Sequence, residues 1–391
     1  MEIDLWWLLA LPAFFALGWG AARVDIRHVL SQSRALPGSY FRGLNHLLNE
    51  EPDRAIDAFI EVVKVDPETI ELHFALGNLF RRRGEVERAI RMHSSLANRA
   101  DLDEGERLRA LFELGQDYLR AGLLDRAEEA LTKLGTTPFA ARSRVFLLEI
   151  AQMERDWSRA IDLARQVESD SGHSRQRDIA QFHCESAAAK LAQSLLDEAR
   201  SDAVAALAVN RMAVRANLIL GDIEARAGRH AEAIALWRGI ESQDPAYLAL
   251  AGARLIESHR AQGRVEEGLA LLAGYLERYP SLDLLELVFR LTMELQGVQA
   301  ALRVVREEMR KSPSLAGAEW MLEAQAVDAP GERVSDLNQV RNLVHTQAQR
   351  MARYACENCD FKARQFFWRC PGCGNWESYS PRRIEEGDAR F

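Results

Sequence analysis

The chain has 391 residues, 48% of them hydrophobic, with 50 Lys plus Arg against 58 Asp plus Glu for a formal charge of −8. That composition excludes disordered, collagen-like and low-complexity classes. A sequence pI near 5.7 excludes general nucleic-acid binding, which needs a surplus of basic charge on some face. Five cysteines are too few for a disulfide framework, and four of them crowd into Cys356 to Cys373.

The first element is an uncharged run from Leu5 to Ala22. Eighteen helical residues rise about 27 Å, close to the roughly 30 Å of a hydrocarbon core. Trp6, Trp7 and Trp19 stand near its ends, where indole rings favour the membrane interface. A cleaved signal peptide starts basic, whereas Glu2 and Asp4 precede this run and Arg23, Arg27 and Arg34 follow it. Residues 1–24 are therefore expected to be a retained single-pass anchor, with the bulk of the chain on the cytoplasmic side by the positive-inside rule.

A repeating unit fills the middle of the chain. The segments DRAI, ERAI, DRAE, SRAI, DEAR, AEAI, EEGL and QAAL place a small residue at Ala55, Ala89, Ala127, Ala160, Ala199, Ala233, Gly268 and Ala301. Successive spacings are 34, 38, 33, 39, 34, 35 and 33, the period of tetratricopeptide repeats. Twelve residues earlier stands Gly43, Gly77, Gly115 or Gly221 in four units; the others carry Leu148, Ala187, Ile256 and Phe289. A turn glycine precedes several second helices (Gly84, Gly122, Gly228, Gly263), and Pro67, Pro245, Pro280 and Pro313 are expected to stop them. Each unit thus reads as helix, tight turn, helix, stop, and neighbours must stack because none buries its own apolar face. The polar insertions at 101–105 and 169–177 are expected to be loops.

A concave repeat surface is generally used to hold another protein. His46, His73, His93, His183 and His230 lack ligand spacing and read as surface or core groups, Cys184 as a small core residue, and Arg81 to Arg83 as a solvated face.

The last element reads RYACENCDFKARQFFWRCPGCGNWE over 353–377, a C-x2-C pair, ten residues, and a second C-x2-C pair. Cys356, Cys359, Cys370 and Cys373 supply the tetrahedral sulfur set that suits one zinc or iron ion. Gly374 follows the second pair, where a knuckle turn wants a residue free to take positive φ. Phe361, Phe366, Phe367 and Trp368, with Tyr354 and Trp376, are expected to form a short hairpin that shields the metal. So small a module cannot hold itself by core burial alone. Four thiolates leave no open position, which points to a structural site; electron transfer by iron and a redox CxxC remain as alternatives. The short linker over 328–336 predicts that the module packs on the last helices of the array.

The chain is thus expected to be all-α: a tetratricopeptide superhelix with one amino-terminal transmembrane helix and a small four-cysteine metal module. The divisions are an anchor over 1–24, an array of about eight units over 39–325, a linker and terminal helix over 326–350, and the metal module over 351–381.

LGNLFRRRGEVERAIRMH (Leu76 to His93), LGQDYLRAGLLDRAE (Leu114 to Glu128), IAQFHCESA (Ile179 to Ala187) and the segments YACENC and WRCPGCGNW resemble the lipopolysaccharide assembly protein B family of Gram-negative bacteria. The resemblance implies a non-enzymatic inner-membrane protein with a rubredoxin-like module, whose metal cysteines fall on Cys356, Cys359, Cys370 and Cys373. It further implies an adaptor that limits lipid A synthesis by promoting degradation of the committing deacetylase (LpxC) by a membrane AAA+ protease of the FtsH type. Its partners would be that protease, the deacetylase and other lipopolysaccharide assembly proteins. A scaffold that gathers assembly enzymes without directing proteolysis is the alternative, and an iron-site redox protein a further one. No Gly-rich phosphate loop, HExxH or nucleophile elbow is present.

Overall fold

A computed structural model describes residues 38–49, 51–65, 70–351 and 354–383. The expected anchor over 1–24 and Pro67 lie outside the described residues. Among the described residues no helix is long and apolar enough to cross a membrane. The chain divides into two compact units at Ile150 and Ala151.

The first unit holds α1 (Gly38–Leu48), α2 (Pro52–Val65), α3 (Ile70–Arg83), α4 (Val86–Ala97), α5 (Glu104–Arg120), α6 (Leu124–Thr132) and the start of α7 (Ala140–Glu154). The second continues with α8 (Trp157–Ser171), α9 (Gln176–Ala192), α10 (Leu196–Val209), α11 (Val214–Arg226) and α12 (His230–Arg238). A short α13 (Ile240–Gln243) and a 3-10 turn (Pro245–Tyr247) lead into α14 (Leu248–Ala261) and α15 (Val265–Arg278). Then come α16 (Leu282–Gln296), α17 (Val298–Lys311), α18 (Leu315–Val327) and α19 (Gly331–Met351). Within each unit, successive helices pack on one another.

The small-residue register has a direct packing meaning. A Cβ on Gly43, Gly77, Gly115 or Gly221 would run into Phe59, His93, Leu131 or Trp237 respectively. Each of these is the residue sixteen further on, in the second helix of the same pair. Elsewhere large first positions meet large residues sixteen further on: Phe289 faces the same core as Val305, and Ile256 the same core as Leu272. Ala187 and Ala203 share an alanine-rich core with Ala180, Ala199 and Ala206, beside Cys184, Leu191, Ile219, Leu220 and Ile223, so α9 and α10 approach closely. At the four glycines the missing side chain makes room for the partner's bulk, as close-packed interiors require.

The turns follow the same logic. Gly84, Gly122, Gly228, Gly263 and Gly297 all take positive φ, between 69° and 84°. Two units make the turn without glycine, at Arg155 (φ 59°) and Ser194 (φ 63°), at a strain cost of about 1 kcal/mol each.

Several expectations are revised. The 169–177 insertion is helical through Ser171, which Gly172 caps at φ 68°. Its counterpart at 101–105 is partly a helix start: α5 begins at Glu104, with the Asp103 carboxylate accepting from the Glu106 N–H. The second helix of that unit breaks at Gly239, and its short continuation α13 stops at Gln243, two residues before Pro245, which opens a 3-10 turn capped by Asp244. The 328–336 linker is helical from Gly331.

Arg81 is also not solvated. Its guanidinium donates to Asp117 Oδ1 at 2.9 Å and to Glu113 Oε2 at 2.6 Å. His93 Nδ1 pairs with the other Asp117 oxygen at 2.5 Å, and His93 and Asp117 are both fully buried. Histidine thus ties two repeats together at the site where it covers Gly77. Cys184 is a buried core thiol, pushed up to about 12 by that burial.

Candidate metal centre

The two cysteine pairs form two near-identical knuckles. In each, the first cysteine N–H donates to the carbonyl five residues on: Cys356 to Phe361 at 3.1 Å, Cys370 to Asn375 at 2.8 Å. In each, the residue after the second cysteine turns back to the first cysteine carbonyl: Asp360 to Cys356 and Gly374 to Cys370, both at 2.9 Å. That turn forces positive φ at Asp360 (55°) and Gly374 (73°). Gly374 meets the sequence expectation. Asp360 makes the same turn with a side chain, one of the few that tolerates it.

The four sulfurs lie within 4.8 Å of one another. Cys356 and Cys373 are 3.8 Å apart, Cys359 and Cys370 3.7 Å. A tetrahedral ion with metal–sulfur bonds of about 2.3 Å sets its sulfurs about 3.8 Å apart, so the donor set fits one metal held by four thiolates. Backbone N–H groups of Gly372 and Cys373 point at the Cys370 sulfur, at 3.3 and 3.5 Å. Burial opposes ionisation of Cys356, but the Ser378 hydroxyl and the Asn358 and Cys359 N–H groups outweigh it and hold the thiol down to about 6. Cys359 is pushed up to about 12: the Phe361 N–H favours its thiolate, yet desolvation and the neighbouring cysteines prevail. A closed set of this kind leaves no coordination position for water or substrate.

The expected hairpin lies elsewhere. Strands β1 (Tyr354–Ala355) and β2 (Lys362–Ala363) pair antiparallel around the first knuckle, and an Arg369–Trp376 bridge flanks the second. Of the six aromatics expected to shield the metal, Tyr354 and Phe367 join Tyr379 in the module core. Tyr379 donates to the Phe361 carbonyl at 2.9 Å. Phe361 is exposed and lies over Gly372.

Phe366, Trp368 and Trp376 turn outward onto the repeats. Trp376 meets Trp157 and Phe182 edge-on, at centroid distances of 6.4 and 5.9 Å, and its indole N–H donates to Gln152 at 3.3 Å. Trp368 stacks flat on Tyr247 at 5.5 Å, and the Arg215 guanidinium lies over its ring at the same distance. Gln181 donates to Glu377 at 2.6 Å. At the far edge Arg383 pairs with Asp283 at 2.6 Å and Glu286 at 2.8 Å, and the Tyr354 hydroxyl donates to Asp283 at 3.3 Å. Burial raises the carboxyl groups of Glu377 and Asp283, against the pull of Gln181 and Arg383 respectively.

The seat therefore runs from the end of α7 to α16 and is not confined to the last helices. Sequence reading passed over Trp157, Phe182, Arg215, Tyr247, Asp283 and Glu286. One signal was available: Trp157 stands three residues before the small position, where the other units from the second onward carry Val86, Leu124, Leu196, His230, Val265 and Val298.

Helix pairs at this period, with a four-thiol double knuckle seated on them, define a tetratricopeptide-repeat protein with a rubredoxin-type metal module. A family model for the tetratricopeptide repeat matches residues 42–92 and 185–247, and one for a rubredoxin metal binding domain matches 354–381. Lipopolysaccharide assembly protein B of Escherichia coli K12 is 30% identical over 97% of this chain and 98% of its own length. The protein of the same name from Haemophilus influenzae is 28% identical over 98% of this chain and 99% of its own. A solved tetratricopeptide repeat protein from Parabacteroides merdae covers 78% of this chain and 100% of its own, at 11% identity and a TM-score of 0.34. The chain belongs to the lipopolysaccharide assembly protein B family.

Proposed function

We propose that this protein is a non-enzymatic adaptor, tethered by residues 1–24 to the inner membrane with its repeats in the cytoplasm, that restrains lipopolysaccharide synthesis. In this reading it promotes degradation of the committing lipid A deacetylase LpxC by an FtsH-type protease. The full-length match to proteins named for lipopolysaccharide assembly carries the reading. A repeat array whose surface offers protein contacts supports an adaptor role, and the anchor would raise the local concentration of membrane partners. Cys356, Cys359, Cys370 and Cys373 would hold one zinc or iron ion in a structural role, fixing the module on its seat.

The test is depletion of the protein in its own cells, followed by the half-life and level of the deacetylase. Both rise if the adaptor reading holds. A level that stays flat while lipopolysaccharide assembly fails assigns the protein to the scaffold class instead. Elemental analysis of the purified chain decides the metal, with one zinc or one iron per chain expected and none in a Cys356→Ser variant.

A further inference from the structure

The end of a repeat array needs a polar outer face, because no further repeat covers it. Helix α1 departs from that rule. Its inner side is committed to α2, with Gly43 against Phe59. On its outer side Phe41, Leu44 and Leu48 are 61%, 38% and 76% exposed. Spacings of three and four set them in one stripe along the helix.

Two features of the sequence say what would cover the stripe. Fifteen residues, Arg23 to Pro37, separate α1 from the uncharged run Leu5–Ala22. Fully extended they span about 50 Å at most, so α1 cannot stand far from wherever that run is held. The stretch of chain that leads into and through α1 is also opposite in charge to the chain as a whole. Residues 23–49 contain Arg23, Arg27, Arg34 and Arg42 against Asp25 alone, a net +3 within a chain of −8. Arg42 pairs with Glu61 at 3.1 Å, but both side chains are about two-thirds exposed, so the guanidinium stays accessible. An apolar helix face in a net-basic stretch of chain, close in sequence to an anchor, fits the headgroup boundary of an anionic leaflet.

We propose that the outer face of α1 lies on the membrane surface, with Phe41, Leu44 and Leu48 among the lipid headgroups, so that the array is held against the bilayer instead of hanging free from it. The proposal rests on the reading of residues 1–24 as an anchor.

The photo-crosslinker benzoylphenylalanine, installed singly at Leu48, Phe14 or Leu123, tests it. The full chain is reconstituted in vesicles of phosphatidylethanolamine and phosphatidylglycerol carrying labelled lipid. Phe14 reports on the anchor itself, and Leu123 (40% exposed, at the N-cap of α6) is an apolar control elsewhere in the first unit. The expected result is lipid labelling at Phe14 and at Leu48, with Leu48 about threefold or more above Leu123 and falling when phosphatidylglycerol is replaced by phosphatidylcholine. Labelling at Phe14 with Leu48 no higher than Leu123 overturns the proposal and leaves the anchor standing. Adducts at Leu48 to a second copy, or to the chain itself, overturn it in favour of a protein contact. Absence of lipid labelling at all three positions removes both the anchor and the proposal.

Discussion

In the first unit, buried polar groups tie one repeat to the next. Arg81 of one repeat reaches Glu113 and Asp117 of its neighbour, and His93 closes the network against the other Asp117 oxygen. The second unit keeps such ties, with Glu224 held by Arg200 and Arg229 and Glu185 by Arg215, and adds to them aromatic rings brought by the metal module. Trp376 lies against Trp157 and Phe182, and Trp368 is sandwiched by Tyr247 and Arg215. The two solutions differ in what they depend on. A buried ion pair is strong only while every member is present, since one missing partner leaves an uncompensated charge. A seated module contributes apolar area and stacking, but only while its own fold persists, and that fold hangs on four sulfurs and a metal. Stability in the second unit is therefore expected to respond to metal, whereas in the first it is set by the chain alone.

Metal removal gives the largest separation between the two. Chelation, or Cys356→Ser, is expected to remove stabilisation on the order of 10 kcal/mol from the module. Limited proteolysis should then cleave within 354–383 and tryptophan emission should shift to the red, while first-unit fragments keep their resistance. Unchanged resistance of residues 354–383 would sink the idea that the metal holds the seat.

Next in size is Asp117→Ala, which strands Arg81 and His93 and is expected to cost about 3–5 kcal/mol in denaturant melts. Its effect should appear in the first unit, with the module's tryptophan signal unmoved.

A double-mutant cycle then tests the close approach at the glycines, which both units share. Gly115→Ala places a methyl 2.8 Å from Leu131 and should cost about 1–3 kcal/mol. Leu131→Ala opens a cavity costing about 2–5 kcal/mol. Together they should cost less than the sum by about 1 kcal/mol or more, and strict additivity would mean the two side chains do not share space.

Glu377→Gln sharpens the seat specifically. Burial raises the Glu377 carboxyl above its ordinary value, so the docked module binds protons more readily than the unfolded chain. Its stability contribution is therefore greatest when Glu377 is protonated. It declines as pH rises from the ordinary carboxylate range through the raised value. The amide avoids burying that charge, so the variant is expected to be more stable at neutral pH by up to about 1 kcal/mol and to lose this slope. Melts across the carboxylate range measure it, and a wild-type slope retained in the variant assigns the slope elsewhere.

The smallest effect is local: Ser194→Gly relieves a positive φ and should stabilise the second unit by about 1 kcal/mol at most.

The array was legible because its signal is local and repeated. Glycine at the turn and small residues twelve apart are requirements of backbone and close approach, and they recur wherever a helix pair recurs. The knuckles were legible for a similar reason, since cysteine spacing and Gly374 report a local turn. Asp360 shows where this stops: the same turn is made by a residue whose identity does not announce it. The linker over 328–336 was misread because Pro330 and Gly331 look like breakers, yet Pro330 stands just before α19, where its missing N–H costs no helical bond and its carbonyl accepts from Arg333 and Val334.

The sequence by itself determined the period, the helix pairs, the turn positions and the four-sulfur donor set, because each follows from residues close in the chain or repeated along it. Only the tertiary structure decided where the module sits, that Arg81 is half-buried against Glu113 and Asp117, and that each of four glycines is matched to a partner sixteen residues on. Those outcomes depend on which surfaces meet. The side chains at Trp157, Arg215 and Asp283 are ordinary in their own helices and gain their meaning from a module more than a hundred residues later, or nearly so, in the chain.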